Sequence, residues 1–178
     1  MTISETIQSI GFLTDLRESA LVYPIVMTTH LACIAVFGGM ILMTDLRLLG
    51  IAMTGRTVTD VVNQFRFWKR LGFCIMVTMG ALLASSEAVK YSDNPYFWAK
   101  MCFLILVAVH AIIFRPRVYN KTAEIDRASS LPRQAKLAGA LSLVIWLGVL
   151  SMGRLIGYYE PAQPAQQPGA RVASQVVR

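Results

Sequence analysis

Histidine is nearly missing from this chain: His30 and His110 are the only two in 178 residues. Cysteine is almost as scarce. Cys33, Cys74 and Cys102 are odd in number, fit no zinc spacing and lie in apolar runs, so they read as packing thiols rather than a metal motif. Charge is thin, at 15% of residues against 55% hydrophobic, which excludes an ordinary soluble domain. The first twenty residues carry Glu5, Asp15, Arg17 and Glu18, with no basic start leading into an apolar run, so no cleavable signal peptide is evident. No internal repeat occurs, and four helices without repeats or broken helices leave little for an alternating-access permease.

What is present is hydrocarbon-length apolar sequence. Four stretches, at about residues 21–43, 71–89, 96–114 and 137–158, each come near the roughly 20 residues that cross a bilayer. Lipid cannot satisfy backbone polar groups, so each must be a helix. The expected fold is therefore all-α: a four-helix transmembrane bundle in a single domain over residues 1–160. Before it, Ile7, Ile10, Leu13 and Leu16 recur at helical spacing, which predicts a short amphipathic helix at the interface. Pro24 suits the first turn of the first span. Thr57 and Asp60 predict a helix restart near Val58. Ser129 or Ser130 is expected to cap the fourth helix, with Pro132 in its first turn. Residues 161–178, rich in Pro, Gln and Ala, read as a disordered tail.

The net charge of +7 would suggest nucleic acid in a soluble protein. Here the basic residues flank apolar segments, so they report topology instead. The loop between the first two spans holds Arg47, Arg56, Arg66, Lys69 and Arg70. The loop between the third and fourth holds Arg115, Arg117, Lys121, Arg127, Arg133 and Lys136. The positive-inside bias places both loops in the cytoplasm and both termini outside, in an inner membrane.

Both histidines sit inside apolar runs. An ionisable residue in lipid is costly and marks a function by default. Two imidazoles on separate helices can grip one haem iron from both sides. On this reading His30 and His110 are the axial ligands of a haem b. Interhelical hydrogen bonding, for instance to Thr28, Thr29 or Ser85, is the plainer alternative. By helical rise, His30 lies about 10 Å and His110 about 18 Å down parallel helices, so ligation of one iron requires a vertical shift of roughly 8 Å. Glu87 and Arg154 reach similar depth. They are expected to pair with each other, and Arg154 is also suited, compatibly, to serve a haem propionate or a quinone carbonyl as a forked donor. Met27, His30 and Cys33, one turn apart, would suit Cu(I) if they converged. Asp45 is either a solvated charge or a partner of Arg66, Lys69 or Arg70, and no second titratable group points to catalysis there. Gly153 and Gly157, like Gly38 and Gly39, permit close helix packing.

Leu21-Val22-Tyr23-Pro24, His30, Gly38-Gly39, the box Asp45-Leu-Arg47-Leu-Leu-Gly50 and Gly153-Arg154-Leu-Ile-Gly157 together resemble an uncharacterised bacterial four-helix integral membrane family. The resemblance covers about residues 5–160. That family is loosely similar to b-type cytochromes and copper-resistance membrane proteins, which implies haem on His30 and no catalytic residue. The leading expectation is a membrane-embedded b-type haem protein or subunit that passes electrons. The alternative is a non-redox accessory subunit of a larger complex with other membrane or periplasmic subunits.

Overall fold

Thr2, Thr57 and Asn94 cap three of the helices with their side chains, and glycines let the long helices touch. In the computed structural model, which describes residues 2–160, the chain forms eight α-helices. These are α1 (Ile3–Gln8), α2 (Gly11–Glu18), α3 (Val22–Leu49), α4 (Val58–Ser86), α5 (Ala88–Ser92), α6 (Pro95–Phe114), α7 (Thr122–Arg127) and α8 (Arg133–Ile156). A π-helical turn, Arg115–Tyr119, continues α6. No strand occurs among the described residues. Helices α3, α4, α6 with its π turn, and α8 are each long and apolar enough to cross a membrane. The chain is a multi-pass membrane protein. Its tail, expected to be disordered, lies outside the described residues.

Helices α3 and α6 run toward the Lys/Arg-rich end of the bundle, and α4 and α8 run away from it. The single amphipathic helix expected at the start is divided. The chain bends at Ser9 and Ile10, so Leu13 and Leu16 are buried while Ile7 and Ile10 stay exposed. Gln8 Oε1 accepts from the Val89 N–H at 2.9 Å, tying α1 to α5. The second span is also interrupted, with α4 ending at Ser86 and α5 beginning after Glu87. Pro24 does fall in the first turn of α3, and Thr57 does cap α4, accepting from Asp60 N–H at 3.0 Å. The expected serine cap on α8 is corrected: Pro132 itself is the cap residue, and no side chain bonds the first turn.

The interior alternates between apolar and polar levels. At the basic end, Leu48, Val58, Val62, Phe114, Val118, Ile125, Ala135 and Ala138 pack together. Midway, Phe37, Met76, Trp146 and Val149 form a second cluster, with Phe37 edge-on to Trp146 at 5.4 Å. Leu16, Val26 and Leu83 form a third at the opposite end. Glycines set the vertical register between helices. A Cβ on Gly139 would lie 2.8 Å from the Asp45 carbonyl oxygen, so α3 and α8 touch backbone to backbone there. Gly148 faces the Phe103 ring so closely that a Cβ there would overlap it.

Candidate functional site: two polar levels and a lipid-facing groove

Each histidine ties one pair of helices. His30 Nδ1 lies 2.9 Å from the Met76 carbonyl, joining α3 to α4. A carbonyl only accepts, so this nitrogen carries the proton and Nε2 is left as an acceptor. Gly80 makes the fit possible: a Cβ there would stand 2.8 Å from His30 Cε1. His110 Nε2 lies 3.0 Å from the Ala138 carbonyl and donates to it, joining α6 to α8. Phe114 packs against that ring, with centroids 4.8 Å apart.

The register places the two rings at different levels. Ala138 adjoins Gly139, which packs on Asp45, and Asp45 follows His30 by fifteen residues along α3. At 1.5 Å per residue the separation is on the order of 20 Å. That is far more than two axial ligands of one iron can span. The offset expected from sequence was smaller because it was counted from apparent span ends, whereas glycine contacts fix the real stagger. The residues present therefore do not fit one haem held between His30 and His110. Among the described residues no three His, Cys, Asp or Glu side chains gather as a metal site. Nor do Met27 and Cys33 converge with His30. Met27 packs in the cluster around Leu16, while Cys33 packs in the one around Phe37.

Arg154 is exposed. Its guanidinium donates to the Tyr158 hydroxyl and lies 4.7 Å from that ring's centroid, and it forms no pair with Glu87. Glu87 instead faces Tyr23 and Tyr91. Burial first, then the nearby Tyr23 and Glu87, push the Tyr91 hydroxyl well above the usual phenol range. The cation that does enter the level of His30 is Lys100, the one charge interrupting the third apolar run. It lies over Gly153, its Nζ 3.7 Å from where a Cβ would stand, and it acts electrostatically on His30.

The second polar level lies near the basic end and is more deeply buried. Thr44 is 2% and Asp45 1% exposed. Lys69 Nζ donates to Thr44 Oγ1 at 3.2 Å, and the Thr44 hydroxyl donates to the Met40 carbonyl at 2.8 Å. The Ser142 and Tyr119 hydroxyls and the Lys69 ammonium surround the Asp45 carboxylate. Of the partners expected for Asp45, Lys69 is the one that faces it. The rest of the box is also explained. Arg47 Nε holds the following loop through the Arg56 carbonyl at 2.8 Å, Leu48 enters the core, and Gly50 ends α3 at φ 76°.

A groove of about 460 Å³ runs along the outward face between α3 and α4. Thr28, Thr29, Ala32 and Val36 form one wall; Trp68, Leu71, Gly72 and Ile75 form the other. Two other threonines in these helices, Thr44 and Thr78, satisfy their hydroxyls on the carbonyl one turn back. The Thr28 and Thr29 hydroxyls have no hydrogen-bond partner among the described residues. Sequence reasoning missed this face because threonine in an apolar run gives no sign of whether its hydroxyl is used.

No curated protein and no solved structure matches the chain. Residues 10–159, nearly all of the helical part, match DUF6644, a family of unknown function, and the chain belongs to that family.

Proposed function

We propose that this protein is a non-redox accessory subunit of a membrane complex, and that the α3–α4 groove seats a transmembrane helix of a partner subunit. The observation that carries this reading is the pair of unmatched hydroxyls, Thr28 and Thr29, in an otherwise apolar groove. A hydroxyl facing hydrocarbon without a partner is costly. A helix that brings a polar side chain to it gains both a hydrogen bond and close packing against Ala32 and Gly72. The two histidines then serve as interhelical ties. By the positive-inside bias, the basic end faces the cytoplasm and both termini lie outside the inner membrane.

A photo-crosslinking residue at Ala32, in native membranes, tests this. The expected result is one discrete adduct with a different polypeptide. The same probe at Ile112, 74% exposed on α6, gives none. Ala32→Phe in a chain probed from Val36 abolishes the adduct. No adduct from the groove, or equal labelling at Ile112, overturns the reading.

A second reading keeps haem with His30 as its one ligand from this chain. The observation that favours it is the His30 Nδ1–H bond to a backbone carbonyl, the arrangement that orients a ligating histidine and leaves Nε2 available.

A further inference from the structure

The Asp45 level is a built polar site that neither reading of the groove uses. Asp45 is 1% exposed, on a helix long and apolar enough to cross the membrane, and its Oδ2 is buried without a hydrogen-bond partner. A buried carboxylate needs a full set of partners or it must lose its charge. The elements packed around it offer few such partners. From α4 comes Lys69, with Arg66 beside it. The Tyr119 hydroxyl of the π turn and the Ser142 hydroxyl of α8 reach the carboxylate but leave Oδ2 unpartnered, while His110 of α6 is occupied by the Ala138 carbonyl. The one cation close by, Lys69, is hydrogen-bonded to Thr44 rather than to the carboxylate. The Thr44 proton is spent on Met40, so Thr44 cannot donate to Asp45 either. Among the described residues no three His, Cys, Asp or Glu side chains gather here.

We propose that Asp45 is a proton-binding site with two arrangements. In one, a proton from the water at the basic end forms an O–H bond on Oδ2, the carboxyl is neutral, and Lys69 stays on Thr44. In the other, that proton has returned to the water, and the Lys69 ammonium leaves Thr44 Oγ1 to pair with Oδ2. The exchange is a proton and a lysine rotamer only; no electron moves. It couples the protonation of α3 to the contact between α3 and α4, one helix surface away from the groove those helices form.

Infrared difference spectroscopy of the full chain in lipid bilayers, acid minus alkaline, tests this with ¹³C-carboxyl aspartate to mark the band. The expected result is a protonated-carboxyl component of aspartate that survives above about pH 5, where exposed aspartates have ionised, vanishes as pH rises further and is missing in Asp45→Asn. In Lys69→Met the band persists to a pH higher by about one to three units, the usual influence of a neighbouring opposite charge. Because Lys69→Met retains Asp45, it decides the matter even if Asp45→Asn does not fold. No protonated aspartate component above about pH 5 in the folded protein overturns the proposal. So does a band whose midpoint is unmoved by Lys69→Met. Either result leaves the groove reading intact, since that reading is judged by crosslinking alone.

Discussion

His30 and Gly80 act as one unit. The ring occupies the space that any other residue at position 80 would need, and the bond to Met76 depends on the ring staying there. Gly80→Ala should therefore force the imidazole aside and lower stability by about 1–3 kcal/mol, the usual cost of overpacking. The measurement is the thermal midpoint in detergent. His30→Ala in the same chain should recover much of the loss, because the two changes share one contact. Simple addition of the two losses would show that the ring does not fill that space. The histidines were legible in the sequence as costly membrane residues. That they spend their protons on backbone carbonyls was not, because a carbonyl partner leaves no trace in residue identity. Lys100 was visible as the one charge in the third run, but its reach toward His30 depends on the register of α6 against α8.

The long helices were legible from hydropathy and length, since lipid leaves no alternative to helix. The breaks between them were less so. Glu87 interrupts α4 and α5, and Pro116 lies in a π turn where a regular helix would lack one N–H. The start of α4 shows why. Asp126, on α7, accepts from Val58 N–H at 2.7 Å and from Thr59 N–H at 3.0 Å, and also from the Thr59 hydroxyl at 2.6 Å. Thr57 was a readable local cap. Asp126 is a second cap supplied from another helix. Partial burial alone would raise its affinity for a proton, but these hydrogen bonds and the nearby Arg47 outweigh that and hold the carboxyl below the ordinary range. A carboxylate shifted this way adds stability above its unfolded value, about pH 4, and loses it as pH falls through the lower folded value. Asp126→Ala should cost about 1 kcal/mol near neutral pH, the ordinary size of an N-cap. The difference from wild type should shrink steadily below about pH 4. Thermal unfolding of the two proteins across pH reads this directly, and a constant difference at acid pH would sink the tertiary cap.

At the scale of the whole molecule, glycine contacts and two polar levels fix how the four helices stand against one another. Gly139 against Asp45, and Gly148 against Phe103, set a stagger that separates His30 from His110 by on the order of 20 Å along the bundle. Four crossing helices were readable from the sequence; their vertical offset was not, since it arises from contacts between residues far apart in the chain. The two histidines belong to different helix pairs, at levels too far apart to hold one iron between them. The most direct test is the reduced-minus-oxidised absorption spectrum of the protein purified from haem-replete cells, with His30→Ala and His110→Ala alongside. No b-type α-band is expected in any of the three. A band lost in His30→Ala alone would move the assignment to the single-ligand reading. A stoichiometric band abolished equally by either substitution would contradict the arrangement of the bundle described above.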